Sequence, residues 1–284
     1  MRIRRADDSD FRALAEIQIA GREWLARRYE PETLHQFPAD PAASMVTLAH
    51  LHRTGVVLVA EDPEPVGFAS AIVRDGVWFL SQLWVAVDRH GSGVGSALLD
   101  EALAWGHGSS IFSVVASPFP GAQTLYMRRS MFPIWQAMEF EGAPAKPERS
   151  DAATGLTPED RPWVDELDRE VRGTARPEDH TFLREHARGI ALRRGEEPLG
   201  YLYVWPGGKL GPGAVGDARD TAELLRAGIA AGPGRVTLVV PTTNWAALQE
   251  VTRLRLRLVS RTVFMASRAM PDGARYLSSG GALA

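Results

Sequence analysis

The stretch Leu83–Ser96 reads LWVAVDRHGSGVGS and predicts a strand, a glycine-rich loop and the start of a helix. Its apolar residues run to Val87, glycines alternate with other residues over Gly91–Gly95, and a helical apolar stripe follows at Ala97–Leu103. The first turn of a helix exposes backbone N–H groups that lack partners within the helix, and the helix dipole favours an anion there. The stretch therefore predicts a backbone cradle for a pyrophosphate group.

Two familiar nucleotide-binding motifs do not fit this loop. A P-loop requires a lysine in the pattern G-x-x-x-x-G-K-[ST], and the loop has none. A dinucleotide fingerprint requires G-x-G-x-x-G, but its last position is Ser96 when read from Gly91 and Leu98 when read from Gly93. The next apolar run also ends without an acidic residue for a ribose. A plain glycine-rich turn before a helix stays open as the alternative.

Further strands and helices are predicted on both sides of the loop. Short β-branched runs bounded by turn residues predict strands, and apolar spacings of three and four predict helices. Before the loop, the predicted elements are a strand at Met1–Arg5, helices at about Phe11–Arg27 and Met45–Leu51, and strands at Val56–Glu61, Pro65–Arg74 and Val77–Val87. After it they are a helix from Gly93 to about Trp105, a strand at Ile111–Ala116 and a short helix at Ala122–Arg129.

The motif His90-Gly91-Ser92-Gly93-Val94-Gly95 resembles the [Q/R]-x-x-G-x-[G/A] signature of the GCN5-related N-acetyltransferase (GNAT) superfamily. The preceding Leu83–Asp88 resembles that family's fourth strand, and Ile3–Gly142 follows its order of elements. One position differs, since His90 stands where the family has glutamine or arginine, with Arg89 directly before it. The resemblance implies an α/β fold in which helices flank a mixed, twisted sheet, the acyl-CoA N-acyltransferase fold.

The same resemblance implies how acyl-CoA would bind. In the family, the fourth and fifth strands splay apart, and the pantetheine arm pairs with the fourth strand as an added strand would. We therefore expect acetyl-CoA as co-substrate and no metal ion. The expected cofactor-binding residues are Trp84, Val85, Val87, Arg89, His90, Gly91, Ser92, Gly93, Val94, Gly95 and Ser96.

A tyrosine is the expected general acid. Transfer of an acyl group from a thioester to an amine requires a proton for the leaving thiolate. Ala122, Leu125 and Tyr126 fit the family's N-x-x-A-x-x-x-Y helix pattern, although Phe119 stands at the asparagine position. The resemblance makes Tyr126 the candidate catalytic residue, and the alternative is a buried tyrosine that packs the helix on the sheet.

The sequence assigns no general base. Many relatives carry a glutamate on the fourth strand, near Ser81 or Gln82 here, and neither of these is a carboxylate. The resemblance also implies an oxyanion donor at the backbone N–H near Val85. The groups left open as proton acceptors are Glu23, Glu61, Asp75, a histidine and water.

The end of the first helix is expected, from the resemblance, to form a wall of the acceptor site. Trp24 and Tyr29 would line this wall, and Glu23 would attract an ammonium group. The alternative is that Trp24 packs in the core, as tryptophans on amphipathic helices usually do.

A weak internal repeat predicts that the fold is duplicated. Glu64–Phe68 reads EPVGF and Glu197–Tyr201 reads EPLGY, each between two strand candidates. The predicted division is a catalytic GNAT domain at 1–142, a linker at 143–155 and a degenerate GNAT-like domain at 156–284. The second domain should lack a cofactor loop, because the glycines of Gly207–Gly213 are interpreted as a tight hairpin and the helix predicted near Asp217 has no glycine-rich cradle at its start.

Two minor features of the second half are also predicted. His180 and His186 do not form a compact metal-binding pattern, and we expect both on a helix surface. The small, glycine-rich end at Leu277–Ala284 is expected to be frayed.

Composition excludes several classes of function. The net charge of -3 and the lack of a long basic run give no reason to expect a nucleic-acid partner. No apolar run is long enough for a membrane span, and Met1–Asp10 has no apolar signal core, so a soluble cytoplasmic protein is expected. Cysteine is absent, which excludes a cysteine nucleophile and thiolate zinc sites.

The sequence therefore predicts an N-acetyltransferase that moves an acetyl group from acetyl-CoA to a primary amine of a small molecule or peptide. Direct attack in a ternary complex is expected, since no cysteine can hold the acyl group. The missing carboxylate on the fourth strand leaves a non-catalytic acyl-CoA sensor as an alternative, and a longer-chain acyltransferase is another. A homodimer is also left open.

Overall fold

The computed structural model describes residues 1–36, 40–145, 147, 150–271 and 273–283. Backbone contacts divide the chain into two compact units. Unit 1 comprises Met1–Phe132 and Met265–Arg268, and unit 2 comprises Pro133–Phe264 and Ala269–Ala284. Unit 1 ends before the predicted boundary at residue 142, because residues 133–142 pair with a strand of unit 2. Residues 146, 148 and 149 of the predicted linker lie outside the described residues.

The described part of unit 1 is a mixed sheet with helices packed on it. The strands are β1 (Arg2–Arg5), β2 (Gly55–Glu61), β3 (Pro65–Arg74), β4 (Val77–Val85) and β5 (Ile111–Ala116). The helices are α1 (Phe11–Tyr29), α2 (Ala42–Thr54), α3 (Val94–Trp105) and α4 (Pro120–Met127). The strands lie in the order β1-β2-β3-β4-β5, and only the pairing of β4 with β5 is parallel among them.

Helices α1 and α3 cover opposite faces of this sheet. A Cβ added to Gly67 of β3 would lie 3.3 Å from Leu98 of α3. A Cβ added to Gly21 of α1 would lie 2.7 Å from the ring of Trp84 on β4. Phe68, which follows Gly67, is the cross-strand partner of Trp84. Alternate residues of β3 and β4 therefore face α1 and α3 in turn.

One extra residue, Ser81, interrupts the pairing of β3 with β4. Ser70 pairs with Gln82 whereas Ala71 pairs with Leu80, so Ser81 forms a β-bulge. The pairing of β4 with β5 ends at the same Leu80. Because a bulge increases the local twist of a strand, it accounts for the separation of β4 from β5 beyond this point.

The bulge also decides which face each tryptophan of β4 occupies. In a regular strand Trp78 and Trp84 would share a face, since they are an even number of residues apart. Instead, Nε1 of Trp78 donates to the carbonyl of Ala102 in α3 at 3.1 Å, while Trp84 packs against α1. Trp78 is fully buried and Trp84 only half-buried, so only Trp78 belongs to the core.

Unit 2 contains the same succession of elements. Its strands are β6 (Phe132–Gly142), β7 (Ala153–Gly155), β8 (Arg188–Arg194), β9 (Glu197–Val204), β10 (Lys209–Val215), β11 (Val236–Pro241), β12 (Arg257–Ala266) and β13 (Tyr276–Leu277). Its helices are α5 (Arg161–Arg172), α6 (Pro177–His186), α7 (Thr221–Ala231) and α8 (Trp245–Arg253). Neighbouring strands follow the order β7-β8-β9-β10-β11-β6.

The predicted duplication of the fold is confirmed element by element. The order β7 to α8 repeats the order β1 to α4, and β10 with β11 forms the single parallel pairing among β7 to β11, as β4 with β5 does in unit 1. The first long helix of each unit follows a capping box, at Asp7–Asp10 and at Thr157–Asp160. The register of β10 against β9 also slips between Leu210 and Gly213, beside the last residue that pairs with β11.

Two predictions for unit 2 are wrong. His180 is 1% exposed rather than on a helix surface, because its ring lies between the carboxylate of Asp168 and the phenol of Tyr203, at 3.0 Å and 3.1 Å. The chain end is not frayed over its described residues, since Leu277 and Leu283 are 2% and 5% exposed. Both errors come from tertiary contacts that local composition does not reveal.

Candidate functional site

The predicted cofactor residues lie together where β4 ends and α3 begins. A short 3-10 turn at Val87–Arg89 follows β4, so Val87 lies beyond the strand rather than in it. Gly93 is the N-cap of α3, and the N–H of Ala97 donates to its carbonyl at 3.0 Å. The N–H groups of Val94–Ser96 precede that first helical bond, so they point out of the helix end.

Two glycines of the loop adopt backbone angles that other residues rarely adopt. The φ angles of Gly91 and Gly93 are +80° and +91°, in the left-handed region. A Cβ on either residue would meet no atom within 4 Å, so the space in front of them is open. Backbone N–H groups around an open, glycine-lined turn at a helix start fit a pyrophosphate group.

The two basic side chains predicted beside the loop contact other protein groups. Nη1 of Arg89 lies 3.3 Å from Oδ2 of Asp62, in an exposed ion pair. Nε2 of His90 lies 3.2 Å from the carbonyl oxygen of Val85, and its ring stacks on Phe119 with 6.1 Å between the centroids. The cradle therefore consists of backbone groups in this conformation.

The backbone of Val85 faces the gap between β4 and β5. The N–H of Ala86 donates to the carbonyl of Val66 in β3 at 2.9 Å. Successive residues of an antiparallel strand direct their backbone groups to opposite sides, so the N–H and carbonyl of Val85 point away from β3. An added strand would use both groups, and an oxyanion would use only the N–H. In this conformation the carbonyl oxygen also lies 3.2 Å from Nε2 of His90.

Arg129 is a residue of this site that the sequence reasoning missed. It follows α4, and its Nη2 donates to Oγ of Ser96 in the first turn of α3 at 2.5 Å. Asp100 holds the guanidinium with two hydrogen bonds of 3.0 Å and 2.9 Å. The sequence signal was slight, an arginine three residues after Tyr126, and only the packing of α4 beside α3 brings its charge to the cradle.

Tyr126 lies in α4 and is 5% exposed. Burial raises the pKa of its phenol well above the ordinary value of 10.0, because the interior disfavours the phenolate. The phenol therefore keeps its proton at neutral and mildly alkaline pH. A protonated phenol is the form required of a general acid.

Three polar side chains are buried in the layer between α1 and β3–β4. Ser70, Gln82 and Gln18 are 0%, 6% and 9% exposed. Ser70 and Gln82 are cross-strand partners, and Gln18 lies on the buried side of α1 one turn before Gly21. Within the described chain, Oγ of Ser70 and Oε1 of both glutamines have no hydrogen-bond partner. Buried acceptors of this kind require donors, since an unpaired one costs about 1–3 kcal/mol.

The predicted acceptor wall forms an aromatic cluster. The ring of Trp24 lies 4.7 Å from His90, 5.5 Å from Phe119 and 6.2 Å from Tyr29, centroid to centroid. Glu23 is not part of this cluster, because its carboxylate is paired with Arg27 at 2.5 Å on the exposed side of α1. The structure thus brings Trp24 and Tyr29 together at the loop, without the predicted carboxylate.

The comparisons with known proteins agree with this geometry. The family model described as "Acetyltransferase (GNAT) family" matches residues 19–132, which include the loop and Tyr126. Unit 1 is a GNAT acyltransferase domain. No curated protein matches the sequence. No helix among the described residues of either unit is long and apolar enough to cross a membrane.

Solved structures resemble the whole chain and not only its GNAT domain. A candidate acetyltransferase from Pyrococcus horikoshii has a TM-score of 0.80 at 20% identity, over 100% of this chain and 94% of that one. A GCN5-related N-acetyltransferase from Sphaerobacter thermophilus has a TM-score of 0.64 at 17% identity, over 93% of this chain and 94% of that one. A tandem GNAT protein from the clavulanic acid biosynthesis pathway has a TM-score of 0.57 at 15% identity, over 95% of this chain and 98% of that one. At these identities the likeness shows the fold alone.

The turn before α7 in unit 2 carries acids where the GNAT domain has its glycine cradle. Asp217 is the N-cap of a short 3-10 turn at Ala218–Asp220, and Asp220 ends this turn as the N-cap of α7. Hydrogen bonds from Arg219 lower the pKa of Asp217 to about 2, so its carboxylate is ionised at neutral pH. The carboxylates of Asp217 and Asp220 pair with Arg219 and Arg194, so ion pairs lie at this helix start in place of a glycine turn.

Proposed function

We propose that unit 1 transfers an acetyl group from acetyl-CoA to the primary amine of a small molecule or a peptide. The observation that carries the proposal is the open glycine cradle at the start of α3, directly beside the gap between β4 and β5. A pyrophosphate on the cradle and a strand-like arm in the gap are the two halves of one acyl-CoA molecule. The match of residues 19–132 to the acetyltransferase family supports acyl transfer in general.

The protein groups at the cofactor end bind acetyl-CoA and orient it. The N–H groups of Val94–Ser96 donate to pyrophosphate oxygens, and Arg129 adds positive charge beside Ser96. The N–H of Val85 lies on the side of β4 where the thioester carbonyl would lie, which suits it as the oxyanion donor. When bound, acetyl-CoA supplies the activated acetyl group as a thioester.

The groups at the acceptor end match an amine. Ser70, Gln18 and Gln82 present buried oxygens that accept hydrogen bonds, and an amine presents N–H groups that donate them. None of these three residues is a strong base, so in the proposed mechanism they hold the amine and water takes its proton. Trp24 and Tyr29 would cover the apolar part of the acceptor.

Tyr126 is the proposed general acid for the leaving thiolate. Its protonated phenol donates to the departing thiolate, which keeps the back reaction slow. Direct attack is proposed rather than a two-step route, since the chain has no cysteine to carry the acetyl group.

Gly93→Val tests the cofactor end. The new side chain would project into the open space of the cradle, and we expect the Kd of acetyl-CoA, measured by calorimetry, to rise about ten-fold or more from lost hydrogen bonds to phosphate. Gly108→Val is the matched control, since Gly108 also has a left-handed φ, +96°, and open space before it. Equal losses of affinity in both variants would contradict the assignment of the cradle.

Gln82→Leu tests the acceptor end. Removing one of the buried oxygens should raise the KM of the best amine in a panel by about ten-fold, while the Kd of acetyl-CoA stays unchanged. Gln136→Leu, on the exposed side of β6, serves as the control for the same substitution elsewhere. An unchanged amine KM in Gln82→Leu, in a protein that still turns over, would remove this residue from the acceptor site.

A further inference from the structure

The C-terminal segment Gly273–Leu283 lies inside the sheet of unit 2. Strands β10 and β11 pair only through two residue pairs, ending at Leu210 with Leu238, and then separate. β13 enters this gap, where it pairs antiparallel with β10, and Ser278 bridges to Val239 of β11. The pairs with β10 are Ala214 with Tyr276 and Gly213 with Leu277. The segment therefore contacts both strands that border the gap.

This gap is the counterpart of the proposed cofactor cleft of unit 1. Both gaps open beside a register slip, after Leu80 in β4 and after Leu210 in β10. In unit 1 the backbone of Val85, which points away from β3, is the proposed partner of the pantetheine arm. In unit 2 the corresponding backbone of β10 pairs with the chain's own end.

A buried asparagine fixes the segment from the neighbouring helix. Asn244 is 0% exposed, and its Oδ1 accepts from the N–H of Ala247 at 3.0 Å as the N-cap of α8. Its Nδ2 donates to the carbonyl of Tyr276 at 3.0 Å. Asn244 and Ala247 match the N-x-x-A part of the family's helix pattern, so the asparagine at that position binds the backbone of the inserted segment.

A buried arginine fixes the segment from the other side. Arg176 is 0% exposed and forms an ion pair with Asp168 at 2.9 Å. Its Nη1 donates to the phenol oxygen of Tyr276 at 3.1 Å and to the carbonyl of Leu283 at 2.8 Å. Without the segment, the guanidinium would lose two of its acceptors.

We propose that Gly273–Leu283 is a tethered substitute for the acyl-CoA arm, which fills the cleft of unit 2 and completes its interior. The cleft keeps the geometry of a strand-binding groove, but its occupant is supplied by the chain itself. The ion pairs of Asp217 and Asp220, in place of a glycine turn at the start of α7, are consistent with this, since the occupant carries no phosphate. The inference concerns unit 2 and does not depend on the activity of unit 1.

A cleavable tether tests the proposal in the full-length protein. Residues 269–272 are replaced by a site for a specific protease, and the folded protein is cut there. We expect the released peptide to co-elute with the protein in gel filtration, and a hundred-fold excess of acetyl-CoA not to displace it. Mild denaturant should remove it, and a synthetic peptide of residues 273–284 should then bind again and restore the Tm. Immediate loss of the cut peptide without a change in Tm, or its displacement by acetyl-CoA, would overturn the proposal.

Peptide variants identify the contacts that hold the segment. Tyr276→Phe removes the phenol that accepts from Arg176, and we expect the peptide to bind about ten-fold more weakly. Gly281→Ala is the neutral control, since Gly281 is exposed and a Cβ there would meet no atom within 4 Å. Equal affinities for the Tyr276→Phe peptide and the parent peptide would show that the buried arginine does not hold the segment, contrary to the proposal.

Discussion

Tyr126→Phe should lower kcat by about 10²–10³-fold and leave the Kd of acetyl-CoA within about two-fold of its original value. The phenol is buried, and its pKa is raised by that burial, so it is protonated when a thiolate leaves. Phenylalanine keeps the packing of α4 and removes only the acidic proton. A loss of turnover without a loss of cofactor affinity therefore distinguishes a general acid from a packing residue.

The pH profile of kcat tests independently whether the protonated phenol of Tyr126 is required for turnover. Activity that requires the protonated phenol is lost as the pH rises through its pKa, and a raised pKa moves that loss above the range of a free tyrosine, about 10. The control is Tyr29→Phe, which changes a residue of the acceptor wall and should alter the amine KM rather than kcat. If Tyr126→Phe turned over at the original rate, the proton would have to come from another group.

Arg176→Met should destabilise unit 2 by about 3–5 kcal/mol, the cost of leaving one partner of a buried ion pair without the other. Asp168 is 0% exposed and also accepts a hydrogen bond from Tyr201, so its carboxylate cannot turn to solvent. Hydrogen exchange of the β9 amides measures this loss in unit 2 alone, because β9 carries Tyr201 and Tyr203 of the same network. Arg219→Met is the matched control, since Arg219 pairs with Asp217 on an exposed surface, and little change is expected there.

Lowering the pH should diminish the difference in the stability of unit 2 between Arg176→Met and the parent protein. Burial by itself would raise the pKa of Asp168, but Arg176 and His180 outweigh it and hold that pKa well below its usual range. A carboxylate with a lowered folded-state pKa contributes stability above its unfolded pKa, about 4, and loses it as the pH falls towards the folded value. A difference in stability that stayed constant from pH 7 to pH 2 would contradict this account of the Asp168–Arg176 ion pair.

The strand, loop and helix around Gly91–Gly95 could be predicted because their signals act over a few residues. The predicted strand Val77–Val87 ends at Val85 in the structure, and the helix predicted from Gly93 begins at Val94. The turn signals and the echoed pentapeptides likewise located the second copy of the fold. These features depend on local backbone preferences and on periodicity, which a single sequence records.

Other parts of the site depend on which elements meet, and the sequence alone could not supply them. The bulge at Ser81 is defined only by its partner strand, and Arg129 reaches the cradle only because α4 ends beside Ser96. The buried state of His180 follows from the carboxylate of Asp168 on another helix. The chain end looked frayed because its small residues carry no pattern, although a strand pairing orders them in the sheet.

Because of the bulge at Ser81, one end of β4 packs in the core and the other end faces the proposed acceptor site. Directed evolution could change the second end without changing the first. Before the bulge, Trp78 and Leu80 hold the interior together, and changes there would be selected for stability alone. After it, Gln82 and Trp84 lie on the α1 side, where the proposed acceptor binds. A library confined to these two positions would therefore sample new amine preferences in a scaffold whose folding is left intact.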